Sequence, residues 1–199
     1  MSTTATAIST TLALLAVLLL VVRLGLFTRL HLVRRDLSPV RDTVSDLGTG
    51  RSRPTYTVMG VLTAVGYLLV LVAAADVGLG PRTYLVIGGI GVLAQLLTLV
   101  APTDVTGTGR TRTGRIHLLL AVIQFTCLFV TMVNLDLTGL PTAGMQDGLR
   151  WVVRVSFYVF LVTLVVPGLR RRWLGLTERV FLVVSPLWFL VLAVALLAR

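Results

Sequence analysis

The sequence has no lysine, a single cysteine and few charged residues of any kind. Its 18 basic residues are all arginine, and charged residues make up 13% of the chain, about half of the ~25% that is usual in soluble domains. The lone Cys127 excludes an internal disulfide. Because 56% of the 199 residues are hydrophobic, a soluble core cannot hide the apolar excess, and the composition indicates a membrane protein.

Six stretches are almost free of charge, and each is close to the ~20 residues that a helix needs to cross the hydrocarbon core. They predict an all-α membrane protein, a six-transmembrane-helix bundle that forms a single domain. The first stretch has no basic segment before it and no small-residue cleavage site after it, so we expect a retained helix and not a signal peptide. The predicted helices cover about 5–27, 54–76, 83–102, 116–137, 149–169 and 179–198.

Arginines concentrate on the first, third and fifth connections, which must share one side of the membrane. Basic connections usually stay in the cytoplasm, so we expect both termini to be extracytoplasmic, in the inner membrane of a bacterium. Membrane lipid is the expected partner. Nucleic acid is not, because the arginines flank apolar runs and do not form a face with interleaved aromatics. These connections hold 14 of the 18 arginines: Arg23, Arg29, Arg34, Arg35, Arg41, Arg51, Arg53, Arg110, Arg112, Arg115, Arg170, Arg171, Arg172 and Arg179.

The same three connections carry short polar motifs. The first is about 30 residues long, where 2–8 residues are usual between helices of a bundle, and a long loop in a small bundle is often a functional element. The motifs are Ser45-Asp46-Leu47-Gly48 in the first connection, Pro102-Thr103-Asp104 followed by Gly114 and His117 around the third, and Gly175-Leu176-Thr177-Glu178-Arg179 in the fifth, with Trp188 nine residues deeper.

Three carboxylates and one imidazole are therefore expected at one membrane face, and Asp46, Asp104, His117 and Glu178 are the catalytic candidates. Such groups can share protons in acid–base chemistry, with His117 as the base because histidine titrates nearest neutral pH. A divalent metal is an alternative, but the spacing matches no standard metal motif, and we expect no metal or cofactor. The carboxylates can also be structural, as acceptors for free backbone N–H groups or as ion-pair partners of the arginines.

The predicted fourth helix carries a polar stripe. His117, Gln124 and Thr131 recur at seven-residue intervals, so they share one face of a helix. Lipid penalises exposed polar groups, and this face must therefore turn into the bundle. It serves either as hydrogen-bonding contact between helices or as the lining of a ligand cavity. The ligand-binding candidates are Ser45, Gln124, Arg179 and Trp188.

With these motifs in this order between six apolar runs, the chain resembles the bacterial membrane proteins of the domain of unknown function 998 family. The residues that carry the resemblance are Ser45 to Gly48, Pro102 with Asp104, Gly114 with His117, and Gly175 to Arg179 leading to Trp188. It covers most of the chain. The resemblance implies a six-helix architecture and no particular activity.

The sequence favours a polar binding or catalytic site for a small or lipid-like molecule at the cytoplasmic end of the bundle. Two other classes of function remain open. One is small-solute transport, for which we see no inverted repeat in the six helices. The other is a non-catalytic membrane subunit, in which glycine-rich helix faces serve as packing surfaces.

Overall fold

The computed structural model describes residues 3–104, 109 and 111–198, with side chains from residue 8 onward. The described residues form six long helices and two short 3-10 turns, and all six helices are long and apolar enough to cross a membrane. The prediction of an all-helical, six-span membrane protein is confirmed. The helices are α1 (Thr3–Val33), α2 (Arg53–Asp76), α3 (Arg82–Val100), α4 (Arg112–Asn134), α5 (Ala143–Val165) and α6 (Pro167–Leu197), and the 3-10 turns are Ser45–Gly48 and Gly50–Ser52.

Helix α6 is longer than the sequence predicts, because it includes residues 170–178, which we expected to be a loop. Pro167 begins the helix, where proline loses no helical hydrogen bond. The arginines that follow suggest a loop because charged side chains are unfavourable in lipid. Arginine is nevertheless compatible with a helical backbone. For the same reason α1 continues past the predicted end at residue 27 to Val33. Arg110 and Arg199, which the arginine comparison includes, lie outside the described residues.

Helices α2 and α6 lie at the centre of the bundle, and the other helices pack around them. Tyr67 on α2 stacks on Phe189 of α6 with ring centroids 4.1 Å apart. Between α4 and α5, Phe129 stacks on Phe157 at 4.1 Å. These contacts bury aromatic surface in the interior and leave leucine and valine side chains on the outside for lipid.

One polar contact crosses this core. Pro186 lies inside α6 and has no N–H to donate to the carbonyl of Leu182 one turn earlier. Arg23 of α1 takes that place, and its Nη2 donates to the Leu182 oxygen at 2.9 Å. Arg23 is 2% exposed. The sequence places this arginine at the border of the basic connections, but the structure buries it inside the bundle because α1 continues for ten residues beyond it.

Candidate functional site

The first connection folds over the basic end of the bundle, and Asp46 holds its shape. The Asp46 side chain is fully buried, and its Oδ2 accepts hydrogen bonds from the N–H and the hydroxyl of Thr43 at 2.8 and 2.9 Å. Arg34 braces the same loop from the end of α1, donating to the carbonyl of Thr49 at 2.9 Å and to Ser52 Oγ at 2.8 Å. Arg34 also donates to Asp36, and this hydrogen bond lowers the pKa of Asp36.

Residues of α6 form hydrogen bonds with the backbone of the first connection. Glu178 Oε2 accepts the N–H of Val44 at 2.8 Å, and Arg179 Nη1 donates to the carbonyl of Asp42 at 2.5 Å. Gly175 lies against that carbonyl so closely that a Cβ atom would overlap it. The Gly175 to Arg179 motif is therefore the platform on which the first loop rests.

The motif around the third connection caps helix α4. Asp104 accepts hydrogen bonds from the N–H and the hydroxyl of Thr111, at 3.0 and 2.6 Å. Thr111 is the N-cap of α4, and its Oγ1 accepts the N–H of Gly114 at 3.0 Å, which satisfies one of the free N–H groups of the first turn. Gly114 has no room for a Cβ, because the Asp104 carboxylate fills that position. These contacts give Asp104 a structural role.

His117 sits one turn deeper and is 8% exposed. Its Nδ1 lies 2.7 Å from the carbonyl oxygen of Ala101 at the end of α3. Because a carbonyl only accepts, Nδ1 carries a hydrogen, and in the neutral form of the ring Nε2 has the free lone pair. No hydrogen-bond partner of Nε2 is found among the described residues, which suits a base or a ligand-binding group.

A cavity of about 640 Å³ opens between α4, α5 and α6 beneath the first loop. We call it the outer cleft. Its rim carries four arginines, which are Arg41, Arg115, Arg170 and Arg171. None of the four forms an ion pair with a residue that the structure describes. The three carboxylates in the lining are already hydrogen-bonded, since Asp42 accepts the N–H of Ser38 at 2.6 Å and Asp104 and Glu178 make the contacts above.

Below the rim the walls of the outer cleft are apolar. Leu118, Val122 and Leu161 line it, and each of these side chains is partly exposed. An aromatic cluster closes its floor, with Phe125 5.6 Å and Phe157 5.3 Å from Phe181, measured between ring centroids. The ten residues from Arg115 to Phe125 give a depth of about 15 Å at the helical rise, which is half of a typical hydrocarbon core.

A second cavity of about 60 Å³ lies deeper in the bundle, between α1, α2, α3, α4 and α6. We call it the inner chamber. Its lining is mixed, and the polar members include Arg23, Tyr67, Gln95, Gln124 and Ser185. The two cavities share five lining residues, which are Ser45, His117, Ala121, Phe125 and Glu178. His117 and Glu178 thus lie in the wall between a large amphipathic cleft and a small chamber of mixed polarity.

The structure separates the residues that the sequence groups together. His117, Glu178 and Ser45 line both cavities, Asp104 lines only the outer cleft, and Gln124 lines only the inner chamber. Asp46, Arg179 and Trp188 line neither. Asp46 and Arg179 organise the first loop, while Trp188 is fully buried and packs edge-on against Phe189. Within the described part of the chain, no three His, Cys, Asp or Glu side chains are grouped as metal ligands.

Sequence reasoning missed the rim arginines and Arg23 as parts of a site. It assigned all of them to membrane topology, because arginines next to apolar runs usually serve that purpose. One signal for Arg23 was present, since a proline inside the sixth apolar run frees a carbonyl that needs a donor. Nothing in the sequence indicates that the donor comes from a residue 159 positions away.

A family model described as "Protein of unknown function (DUF998)" matches residues 14–195. The chain belongs to this family. No curated protein and no solved structure matches it. The motifs by which the sequence resembles the DUF998 family are those that cap α4, seat the first loop on α6 and form the wall between the two cavities.

Proposed function

We propose that this DUF998 protein binds a lipid-like amphiphile with an anionic head group, such as a phosphate or a carboxylate, in its outer cleft. The observation that carries the proposal is the combination of four arginines at the rim with apolar walls below them. Arginine is well suited to phosphate and carboxylate groups, because its planar guanidinium donates hydrogen bonds to both oxygens.

The shape of the outer cleft supports an acyl chain as the apolar part of the ligand. We expect a lipid to enter beside the partly exposed apolar side chains of Leu118, Val122 and Leu161, from one leaflet and without leaving the membrane. A depth of about half the hydrocarbon core suits the chain of a lipid whose head group remains at the rim.

His117 and Glu178 are the groups placed to exchange protons with a bound ligand. His117 has Nδ1 engaged with Ala101, which leaves Nε2 as the acceptor, and Glu178 holds one oxygen on Val44. Any acid–base chemistry on the amphiphile would use these two residues, while Asp46 and Asp104 would only maintain the shape of the site.

We also propose that the rim faces the cytoplasm of a bacterial cell, with both termini on the other side of the inner membrane. The excess of arginine on this face supports that orientation, even though Arg23 is inside the bundle and no longer counts toward it. In a Cys127→Ser background, a cysteine at Arg172 should react with an impermeant maleimide only after the cells are broken, and one at Thr138 should react in intact cells. The opposite labelling pattern contradicts the orientation.

The amphiphile proposal is tested by native mass spectrometry of the purified protein with phosphatidylglycerol and with phosphatidylcholine of the same acyl chains. Wild type should bind phosphatidylglycerol more tightly. The double variant Arg170→Gln/Arg171→Gln should lose on the order of 100-fold in phosphatidylglycerol affinity, because a direct hydrogen bond between charged groups contributes about 1.5 kcal/mol.

The matched control is Arg112→Gln/Arg172→Gln, which removes the same charge from the same face at two arginines that do not line the cleft. It should keep the affinity of the wild type. Equal losses in the two double variants would mean that a diffuse surface charge attracts the lipid, and the proposal would be wrong. In a second test Ala121→Trp, which fills the cleft between its walls, should reduce the binding of both lipids.

A further inference from the structure

The inner chamber contains a buried arginine whose charge is not matched. Arg23 is 2% exposed, and its described partners are neutral. Its Nε donates to Thr63 Oγ1 at 3.3 Å, its Nη2 donates to the Leu182 carbonyl at 2.9 Å, and the guanidinium carbon lies 4.9 Å from the centroid of the Phe27 ring. No carboxylate of the described chain lies within ion-pair distance of it. Burying a cation without a partner is costly.

The Nη1 atom of Arg23 is buried and has no hydrogen-bond partner among the described residues. Gln95, which lines the same chamber, has an acceptor oxygen that lacks a donor among the same residues. Its Nε2 donates to the Gly60 carbonyl at 3.1 Å, which fixes the orientation of the amide and leaves Oε1 buried without a partner. The chamber therefore offers one strong, charged donor and one acceptor, together with about 60 Å³ of space.

We propose that the inner chamber binds one small oxyanion that carries a hydroxyl group, of the size and chemistry of bicarbonate. The oxygens of such an anion accept hydrogen bonds from Arg23 Nη1 and supply the missing negative charge, and its hydroxyl donates to Gln95 Oε1. An anion without a hydroxyl, such as formate or chloride, satisfies Arg23 and leaves Gln95 unpaired. The volume suits a ligand of this size, because a water molecule needs about 10–15 Å³ of the same kind of space.

Glu178 also lines the chamber, and its carboxylate opposes a second negative charge. It stands at the wall toward the outer cleft, it accepts the N–H of Val44, and Arg179 follows it in the sequence. Together with Ser45 and His117 it belongs to the wall that the two cavities share. If water alone filled the chamber, Glu178 would be the counterion of Arg23 through that water. The two arrangements predict opposite effects of the substitution Glu178→Gln.

The test measures the thermal unfolding of the purified full chain in detergent, at one slightly alkaline pH and one ionic strength, in sodium gluconate, chloride, formate or bicarbonate. In wild type, bicarbonate should raise the Tm in a saturable way, by about 3 to 6 °C at ten times its dissociation constant. Formate should raise it less. Arg23→Gln should abolish both increments, and Arg29→Gln, an exposed arginine on the same helix, should preserve them.

Two further variants keep Arg23 in place in case Arg23→Gln does not fold. Gln95→Ala should respond to formate and bicarbonate equally, because only the contact with the hydroxyl is lost. Glu178→Gln should bind bicarbonate several-fold more tightly, because a like charge is removed. The proposal is overturned if bicarbonate stabilises wild type no more than gluconate does, or if Glu178→Gln lowers the Tm in gluconate and bicarbonate restores nothing, which is the result expected of water.

Discussion

The two ends of the bundle are closed by different means. At the end opposite the arginines, the connections are short and insert leucines into the core, and Leu79, Leu135 and Leu140 are all buried. Gly80 and Gly139 make the turns with positive φ angles of 71° and 84°, which glycine adopts without strain. Burial of these leucines is a main contribution to the closure of this end.

At the basic end, polar contacts supplement a small apolar cluster, in which Val44 and Leu47 of the first loop pack with side chains of α1 and α2. The first loop rests on α6 through Glu178 and Arg179, and it is braced by Arg34 and shaped by Asp46. The loop covers α1, α2 and α6 and leaves the gap between α4 and α5 open. A closure that relies in part on hydrogen bonds can leave such an opening, and the outer cleft lies at this end of the bundle.

The largest effect should come from removing the close approach on which the polar closure depends. Gly175→Ala places a methyl group against the Asp42 carbonyl and should lower the free energy of unfolding by about 1 to 3 kcal/mol, as overpacking usually does. Gly168→Ala, in the same helix, meets nothing within 4 Å and should be neutral or slightly stabilising. Denaturant unfolding in detergent measures both. If the two variants behave alike, α6 is not the platform of the first loop.

A smaller effect should follow from acid. His31 Nδ1 donates to the Phe27 carbonyl and Nε2 accepts from Arg179 Nε, both at 2.8 Å, so the ring must be neutral. A protonated ring has no acceptor left and places a second cation beside Arg179. Amide hydrogen exchange in the first loop, residues 41–48, should therefore become several-fold faster in mild acid. The opposite end, at residues 77–81, should not respond.

The substitution His31→Gln keeps one donor and one acceptor and cannot be protonated, so the acid response should disappear. The chain has two histidines, and His117→Gln should leave the response in the first loop intact. If the acid response of the first loop persists in His31→Gln, a group other than His31 is responsible for it.

The sequence was sufficient for the helices and for part of the site. Six apolar runs determine six spans, because no other arrangement satisfies the backbone in lipid. The motifs led to His117 and Glu178, which line both cavities. They also led to Asp46 and Asp104, because a carboxylate that accepts N–H groups in a loop has the same local sequence as one that faces a ligand. Only tertiary contacts separate these two cases.

The inner chamber was beyond sequence reasoning for a different reason. Arg23 follows an apolar run and is itself followed by more arginines, so its local pattern is that of a residue at the membrane surface. Its burial depends on Pro186, which frees the carbonyl of Leu182 on a helix near the other end of the chain. Such a pairing is visible only when α1 and α6 are packed together.

The smallest effect concerns the exposed carboxylates at the two ends. The hydrogen bond from Arg34 lowers the pKa of Asp36 at the basic end, and the hydrogen bonds from Thr138 lower the pKa of Asp136 at the other end. A carboxylate whose pKa is lower in the folded state than in the unfolded state stabilises the fold at pH values above its unfolded-state pKa. This contribution is lost as the pH falls through its folded-state pKa.

Salt should distinguish the two carboxylates. The partner of Asp36 is charged, so added salt should weaken its contribution, whereas the neutral contacts of Asp136 should be less sensitive. In thermal unfolding between neutral and acidic pH, Asp36→Asn should remove a small, salt-sensitive part of the pH dependence, and Asp136→Asn a small part that salt changes less. Equal salt sensitivity in both variants would mean that the polar closure of the basic end does not depend on charge at Asp36, and that the two ends differ in their buried contacts alone.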